Sequence, residues 1–337
     1  MSGPALEIDS LTLTLDAEDG SPLFPVRDLS MSIAQGELHA LVGESGSGKS
    51  LTCRAILRLG PYGMRVRSGS IRVGGVDVSR LSSRRLHRFR GGRVGMIFQE
   101  PGAHLSPSIR VGRQIIEALR LHTGCSRMEA RRKAEAIAER VGLTPARSIL
   151  RRYPHELSGG MAQRVAIAAA IICSPELLVA DEPTTALDAT VQQSVLELID
   201  ELRHDLGLAV LLVSHDLAVV ERYADSVTVL YAGRVAEQAS SEEMFRRPRH
   251  PYTQALLRAR PQLGDIAPVD APPLIIPGAP PALNAIPGGC PFHTRCPAAE
   301  ALCRTDIPAL IQHVEGDRFA RVACHVASRV VGVAHEA

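Results

Sequence analysis

Short apolar runs alternate with amphipathic stretches along most of the chain. Residues 6–15 alternate apolar and polar side chains, which predicts a half-buried strand. Residues 38–42, 177–180 and 209–213 are short apolar runs bounded by polar turns. Such runs are typical of strands that are covered on both faces of a parallel sheet.

Helical spacing of apolar residues appears between these runs. Residues 49–59 have it, residues 127–141 combine it with many Arg, Ala and Glu residues, and residues 165–173 are more apolar. Strands that alternate with helices predict an α/β core. Beyond about residue 246 the composition changes, and the proline-rich stretch at 268–287 disfavours long regular elements.

Composition and charge give no indication of a nucleic-acid-binding, membrane-spanning or secreted protein. The 337 residues are 45% hydrophobic and carry 38 Lys and Arg against 36 Asp and Glu, which leaves a formal charge of +2. The length allows a large core, and the charge gives no indication of a nucleic-acid partner. No stretch approaches the ~18 uncharged apolar residues of a membrane span, and the first residues lack a secretory leader. We therefore expect a cytosolic protein, unless a partner holds it to a membrane.

A glycine-rich stretch between the predicted strand at 38–42 and the predicted helix at 49–59 fits G-x-x-x-x-G-K-[ST] in full. Backbone N–H groups of small residues can wrap phosphates, and the start of the helix adds positive potential. Lys49 is expected to reach the terminal phosphates of ATP, and the Ser50 hydroxyl to ligate Mg²⁺. An ordinary glycine turn is the alternative for this motif alone. The predicted phosphate-binding residues are Gly43, Glu44, Ser45, Gly46, Ser47, Gly48, Lys49 and Ser50.

Two carboxylates follow the apolar run at 177–180. Asp181 is expected to hold Mg²⁺, and Glu182 to orient and polarise the water that attacks the γ-phosphate. Taken alone, a strand that ends in Asp-Glu is more often a solvated turn or a helix cap.

Small residues precede the apolar helix predicted at 165–173. Ser158, Gly159 and Gly160 can offer a hydroxyl and bare N–H groups at a positive helix end, although a simple capped helix start is an equal alternative. The stretch Leu-Ser-Gly-Gly-Met-Ala-Gln-Arg at 157–164 resembles the signature sequence of ABC ATPases. Together with Glu182 it distinguishes that family from other P-loop NTPases.

The other elements of the ABC family follow in the family's order. Gln99 resembles the Q-loop glutamine, Asp188 the D-loop aspartate and His215 the switch histidine. Each is weak alone, because a single polar residue is usually a satisfied structural residue. The resemblance covers roughly residues 6–237. It implies a RecA-like lobe and a helical lobe, the latter at about 103–170, in an ATPase domain at 1–245.

The resemblance also implies a dimer that binds nucleotide between its subunits, head to tail. Ser158, Gly159 and Gly160 of one subunit would close over the ATP held by the other, with Asp188 at the same interface. The implied catalytic residues are Glu182, His215 and Gln99, and the implied Mg²⁺ ligands are Ser50, Gln99 and Asp181. Gln99 would also connect the metal and the water to the membrane-facing lobe.

The family usually stacks adenine on an aromatic residue of the first strand, and this chain departs from that pattern. Leu15 occupies the position that we align with the aromatic residue. Phe24 in the following loop is one substitute, and apolar surface that supports the base is the other.

A narrower resemblance is to the ATPases of dipeptide and oligopeptide importers. It rests on Phe-Gln-Glu-Pro at 98–101, on residues 181–188 and on His-Pro-Tyr-Thr-Gln-Ala-Leu-Leu at 250–257. It implies two membrane permeases, a second ATPase that is a paralogue, a solute-binding protein outside the membrane, and a peripheral location on its cytoplasmic face. Close relatives that handle nickel or glutathione have nearly the same ATPase, so these solutes are alternatives.

The tail at 246–337 holds four of the seven cysteines, Cys290, Cys296, Cys303 and Cys324. Four thiolates can bind an iron–sulfur cluster or a zinc ion, and the spacing fits neither usual ferredoxins nor zinc sites with short C-x2-C arms. In peptide-importer ATPases this pattern resembles a [4Fe–4S] site. Zn²⁺ or free thiols are the alternatives. A metal would stabilise a module that has few large apolar residues.

Two other classes compete with a transporter ATPase. Chromosome-type ABC ATPases insert a long coiled coil before the signature, and translation-type members usually carry two cassettes, whereas this chain has one cassette and an ordinary insertion. A redox protein built around the cysteines is a third class, but those residues are a minor fraction of the chain. A soluble, non-transport ABC ATPase is therefore the weaker alternative.

Overall fold

The fold is given by a computed structural model, which describes residues 3–17, 19–185, 187–259, 276–315 and 318–327. The twelve strands in these residues form two sheets. In chain order the strands are β1 (Leu6–Asp16), β2 (Pro22–Ile33), β3 (Leu38–Val42), β4 (Arg65–Val73), β5 (Val76–Asp77), β6 (Val94–Ile97), β7 (Leu177–Asp181), β8 (Ala209–Val213), β9 (Ser226–Tyr231), β10 (Arg234–Ser240), β11 (Ile311–Glu315) and β12 (Arg318–Val322).

The larger sheet contains the parallel strands. Across the described residues its order is β11-β12-β10-β9-β3-β8-β7-β6. The neighbouring strands β9, β3, β8, β7 and β6 pair in parallel. Beyond β9 the sheet continues with β10, β12 and β11, which pair in antiparallel orientation. The carboxyl ends of β3, β6, β7 and β8 therefore lie at one edge, where open α/β sheets usually bind ligands.

The smaller sheet is antiparallel and has the order β2-β1-β4-β5. Its first strand spans Leu6–Asp16, so the alternating pattern at 6–15 predicted it correctly. Leu6, Leu11 and Leu13 are fully buried in a hydrophobic cluster that also contains Leu41 of β3. This cluster joins the smaller sheet to one face of the parallel sheet.

Helices cover the parallel sheet and build a separate lobe. They are α1 (Lys49–Ile56), α2 (Ser83–Phe89), α3 (Pro101–His104), α4 (Val111–Thr123), α5 (Arg127–Arg140), α6 (Ala146–Ile149), α7 (Gly159–Ile171), α8 (Ala189–Leu206), α9 (Leu217–Tyr223), α10 (Ser241–Arg246), α11 (Pro251–Arg258) and α12 (Ala301–Thr305). Helices α4, α5, α6 and α7 contact one another and form the helical lobe. The predicted helix at 165–173 begins earlier, because Ser158 caps α7 by accepting the Met161 N–H.

The parallel sheet is buried on both faces, as its continuous apolar strands predict. Every residue of β3, β7 and β8 is buried. Leu38, Ala40 and Val42 belong to one hydrophobic cluster and Leu41 to the other, because successive strand residues point to opposite faces.

The described residues after α10 pack onto the ATPase core and share its larger sheet. The hairpin β11–β12 pairs with β10, and Tyr252 and Phe292 are fully buried beside Tyr231 of β9. The tail was expected to have few large apolar residues and to depend on a metal for stability; packing of Tyr252 and Phe292 against the ATPase core supplies part of that stability. Residues 276–287 of the proline-rich stretch contain neither helix nor strand, and residues 268–275 lie outside the described part.

None of the helices in the described ranges combines the length and the apolar character that a membrane-crossing helix needs.

Candidate nucleotide site

Four of the predicted motifs follow neighbouring parallel strands and meet at one edge of the sheet. The phosphate loop at 43–48 follows β3, Gln99 comes two residues after β6, Asp181 and Glu182 stand at the end of β7, and His215 follows β8. Because the strands are parallel, motifs far apart in the sequence come together.

The phosphate loop requires glycine at two positions. Gly43 has φ +147° and a Cβ there would lie 2.2 Å from the Leu230 carbonyl oxygen; at Gly48 (φ +102°) a Cβ would lie 2.5 Å from the Pro25 carbonyl oxygen. Real Cβ atoms cannot approach so closely, and other residues rarely adopt such φ angles. Only glycine therefore fits this turn, which begins α1.

Lys49 bonds to the backbone of its own loop. Its Nζ donates to the carbonyl oxygens of Gly43 (2.8 Å) and Glu44 (2.9 Å). Burial lowers the pKa of Lys49, while the nearby carboxylates of Glu182 and Asp181 raise it. A buried ammonium group beside bare N–H groups is suited to a polyanion such as a triphosphate.

Ser50 and Asp181 form the predicted metal-binding pair. Ser50 Oγ donates a hydrogen bond to Asp181 Oδ1 at 2.9 Å. Burial raises the pKa of Asp181, and the hydrogen bond from Ser50 opposes that shift. A hydroxyl and a buried carboxylate are oxygen donors of the kind that Mg²⁺ prefers, so these residues fit the ion.

Glu182 is the meeting point of three other polar side chains. Its Oε2 accepts hydrogen bonds from Gln99 Nε2 and Thr185 Oγ1, both at 3.0 Å, and lies 3.6 Å from His215 Nδ1. Glu182 has φ +49°, a left-handed conformation that is uncommon for a residue other than glycine. Such strain is found at functional sites, where surrounding contacts hold it.

Ser158 and Asp188 each cap a helix, so the capping alternative is also correct for Ser158. Ser158 Oγ accepts the Met161 N–H at the start of α7, and Asp188 Oδ1 accepts the Val191 N–H at the start of α8. A Cβ at Gly160 would lie 2.9 Å from a Val191 methyl group. The start of α7 thus lies beside the start of α8. That Ser158, Gly159 and Gly160 bind the nucleotide of a second subunit stays a prediction.

Phe24 lies in β2, not in a loop, and two guanidinium groups are near its ring. Arg27 and Arg67 lie 5.7 and 5.5 Å from the centre of its ring. Phe24 precedes Pro25, whose carbonyl approaches Gly48 of the phosphate loop. Leu15 pairs with Leu23 across β1 and β2. Contact of either residue with adenine stays a prediction.

Sequence reasoning missed three residues around the site. Thr185 stands inside the recognised stretch at 181–188, yet its hydroxyl was given no role. Tyr252 and Arg295 contact Glu44 of the phosphate loop from 208 and 251 positions away. Tyr252 belongs to the stretch at 250–257 that carries the narrower resemblance, and Arg295 adjoins Cys296, but no local pattern in the sequence indicates these contacts.

The structure brings the four tail cysteines together. Cys290 N–H donates to the Cys303 carbonyl at 2.9 Å. Burial raises the pKa of Cys290 to about 11, and the neighbouring thiols of Cys324, Cys303 and Cys296 raise it further. None of the four forms a disulfide in the described residues. Within the described residues, however, no group of three or more His, Cys, Asp or Glu side chains is placed to hold a metal ion.

Comparisons with known proteins agree with this geometry. Residues 26–185 match the ABC transporter family, and residues 236–303 match the C-terminal region of the oligopeptide/dipeptide transporter family. The dimeric, post-hydrolysis structure of the ATP-binding cassette MJ0796 bound to ADP and Pi is 25% identical, with a TM-score of 0.63 over 70% of this chain and 98% of that one.

Two curated relatives extend over nearly the whole chain. The probable D,D-dipeptide transport ATP-binding protein DdpD of Escherichia coli is 45% identical over 96% of this chain and 97% of its own length. The oligopeptide transport ATP-binding protein OppD of Salmonella typhimurium is 43% identical over 90% of this chain and 89% of its own length. The chain therefore belongs to the ABC transporter ATPases, in the branch of the oligopeptide and dipeptide transport ATP-binding proteins.

Proposed function

We propose that the chain hydrolyses ATP with Mg²⁺ to energise a membrane importer of dipeptides or oligopeptides. The observation that carries this proposal is the meeting of the phosphate loop with Gln99, Asp181, Glu182 and His215 at one sheet edge. Support for a peptide comes from the match at 236–303 and from relatives named for dipeptide and oligopeptide transport.

Each residue of the site has a defined task in this proposal. Lys49 exchanges its carbonyl partners for oxygens of the terminal phosphates, and the N–H groups of 43–50 surround the polyphosphate. Ser50 and Asp181 would hold Mg²⁺, and Gln99 would be its third ligand. The ion, when bound, neutralises charge on the transferred phosphoryl group.

Glu182 acts on the attacking water. Its carboxylate orients the water and accepts its proton while the water oxygen bonds to the γ-phosphorus and ADP leaves. His215 lies 3.6 Å from this carboxylate and would donate to a γ-phosphate oxygen. Gln99, which donates to the same carboxylate, connects the water to the helical lobe.

The proposed transporter complex contains other chains. Ser158, Gly159, Gly160 and Asp188 would face the nucleotide of a second ABC ATPase, a paralogue in a heterodimer. Residues 1–245 would form the ATPase domain, with its helical part at about 103–170 against two permeases, and residues 246–337 the importer-type extension. The complex would lie on the cytoplasmic face of the membrane and receive solute from a binding protein on the other side.

Reconstitution in vesicles tests the proposed substrate. The chain, its partner ATPase, the permeases and the solute-binding protein encoded beside it would be combined, and uptake of labelled dipeptide, oligopeptide, nickel and glutathione compared. Peptide uptake that needs ATP supports the proposal. Uptake of nickel or glutathione alone would reassign the solute, and ATP hydrolysis that is indifferent to every membrane partner would favour a soluble ABC ATPase.

Replacement of Gln99 tests the coupling step. We expect Gln99→Ala to keep ATP binding but to lose the stimulation of hydrolysis by permeases and solute, because Gln99 links Glu182 to the segment at about 100–112 that would face a permease. Gln193→Ala is the matched control, since Gln193 donates an exposed hydrogen bond to Glu197 within α8. Vesicle transport that is unchanged in Gln99→Ala would remove this role.

We also propose that Cys290, Cys296, Cys303 and Cys324 bind a [4Fe–4S] cluster with a structural task. Support for this proposal comes from the resemblance of the cysteine pattern to a [4Fe–4S] site in peptide-importer ATPases and from the nearness of the Cys296, Cys303 and Cys324 thiols to Cys290. In such a cluster each of the four thiolates would bind a different iron, and Zn²⁺ bound by the same thiolates is the alternative. Nothing in the site at Lys49 and Glu182 requires an electron.

Metal analysis and one cysteine variant test this cluster. Protein purified without oxygen should contain iron and sulfide and absorb visible light, and Cys303→Ser should lose both and loosen the extension. Cys125→Ser, a substitution at a thiol near α4 and α5, should keep them. Zinc without iron would assign the site to zinc, and a well-folded extension that contains neither metal would end the proposal.

A further inference from the structure

The phosphate loop is bonded to the C-terminal extension through its second residue, Glu44. The Glu44 N–H donates to the Tyr252 hydroxyl at 2.8 Å. The Glu44 carboxylate accepts two parallel hydrogen bonds from the Arg295 guanidinium, at 2.6 and 3.0 Å. Two separate parts of the extension therefore converge on one residue of the loop.

Arg295 is held in place by groups other than Glu44. Its side chain is only 4% exposed, and its remaining donors reach the carbonyl oxygens of Pro277 (2.8 Å) and Ile276 (3.2 Å) and the Tyr231 hydroxyl (3.2 Å). The rings of Tyr231 and Phe292 lie 5.8 and 6.0 Å from its guanidinium carbon. A buried, paired and preorganised guanidinium is far more effective than an exposed surface charge.

Tyr252 is fixed in the same region. It is fully buried, and its ring packs 4.6 Å from that of Tyr231 and 5.3 Å from that of Phe292. Its hydroxyl is thus presented to the Glu44 N–H by a rigid aromatic cluster. Tyr231, Tyr252 and Phe292 connect the end of β9 with both parts of the extension.

Glu44 is placed where its charge matters to a nucleotide. Its carbonyl oxygen accepts from Lys49 Nζ at 2.9 Å, and its carboxylate is among the charges that act on the Lys49 ammonium. A carboxylate in the loop that receives a polyphosphate repels that anion unless a cation neutralises it. Arg295 supplies the neutralising charge in a geometry that carboxylates prefer.

We propose that Arg295 and Tyr252 are positioning residues for the nucleotide site: Arg295 neutralises Glu44, and together they hold the first turn of the phosphate loop ready for a nucleoside triphosphate. This inference rests on the proposed assignment of residues 43–50 as the phosphate loop. It makes the C-terminal extension a determinant of nucleotide affinity, whatever solute the transporter carries. Coupling between two sites is reciprocal, so bound nucleotide must stabilise the extension by the same factor.

Nucleotide binding to Arg295 variants tests the neutralising charge. Arg295→Gln should raise the Kd for Mg–ATP about tenfold, a usual size for coupling between sites. Arg295→Lys keeps the positive charge but loses the two parallel donors of the guanidinium group, so its Kd should lie between those of Arg295→Gln and the parent. In the assembled transporter the change should appear in KM for ATP and leave kcat within about twofold, as for lost ground-state binding.

A double variant separates charge from simple structural support. In Arg295→Gln combined with Glu44→Gln, no carboxylate remains to repel the phosphates, so most of the lost affinity should return. The control is Arg140→Gln, which breaks a pair with Asp205 of 2.6 Å on the helical lobe and should leave the Kd unchanged. Parental affinity in Arg295→Gln, or a double variant as weak as the single, would overturn the neutralising role.

Two further measurements test the role of Tyr252 and the reciprocal effect of bound nucleotide on the extension. The first keeps the inference testable if Arg295→Gln does not fold. Tyr252→Phe keeps the packed ring and should raise the Kd about threefold through the lost bond to Glu44, as expected for one hydrogen bond; an unchanged Kd would overturn the role of Tyr252. Mg–ATP should slow hydrogen exchange in residues 290–304 of the parent but not of Arg295→Gln, and equal slowing in both would contradict the coupling.

Lys49→Ala distinguishes failure of this inference from failure of the assigned nucleotide site. If Lys49→Ala binds Mg–ATP like the parent, the phosphate loop assignment and the role of Arg295 fall together. If Lys49→Ala loses binding while Arg295→Gln keeps it, only the role of Arg295 falls.

Discussion

Glu182→Gln should bind Mg–ATP at least as well as the parent and lose turnover by about 10²–10⁴-fold, the usual contribution of a general base. Glutamine has nearly the size of glutamate and keeps an oxygen that can accept from Gln99 and Thr185. The amide cannot take a proton from water, so ATP stays intact between the two subunits. The dimer should therefore accumulate, which size-exclusion chromatography with ATP measures beside phosphate release.

Glu176→Gln is the matched control for this variant. Glu176 stands one residue before β7, at the opposite end of the same strand, and pairs with Arg93 at 2.7 Å. The same chemical change there removes a partly exposed ion pair, worth about 1 kcal/mol or less, and should leave turnover at the parental rate. Parental turnover in Glu182→Gln would instead assign the water-polarising role to another group, and His215 would be the next residue to replace.

The elements around the site could be predicted from the sequence because their signals are local. β3, β7 and β8 are buried on both faces, so their apolar runs stand out, and the glycines at 43 and 48 mark a turn that only glycine fits. Asp181 and Glu182 follow one such apolar run, which predicted their place beside the phosphate loop because parallel strands bring their carboxyl ends together. The hydrogen bonds from Gln99 and Thr185 to Glu182 were not predicted, since β6 was not among the predicted strands and Thr185 was given no role.

The contacts of the extension could not be predicted in this way. Tyr252 and Arg295 lie far from Glu44 in the sequence. A single tyrosine, or an arginine next to a cysteine, is not a sequence pattern that predicts a contact with the phosphate loop. The low apolar content of the tail also suggested a module that needs a metal to fold, whereas Tyr231 and the hairpin pairing with β10 provide packing from the core. Burial against a distant part of the chain leaves no periodic trace in either segment.

The start of α7 tests the shared nucleotide site most directly. Ser158 has two tasks in our proposal: it caps α7 through the Met161 N–H, and it faces the nucleotide of the second ATPase. Ser158→Ala would remove both at once. Aspartate caps a helix as well as serine does, so Ser158→Asp keeps the first task and places a negative charge against the partner's γ-phosphate.

We expect Ser158→Asp to fold normally and to bind Mg–ATP at its own Lys49 with parental affinity, while turnover in the dimer falls by about 10²-fold or more, as when a transition-state donor is lost. Ser126→Asp is the matched control, because Ser126 caps α5 of the same lobe by accepting the Glu129 N–H at 3.2 Å. It should keep parental turnover. Equal activity in the two variants would contradict a site shared between subunits, and a loss of ATP binding by Ser158→Asp alone, measured on the monomer, would place the signature at its own phosphate loop.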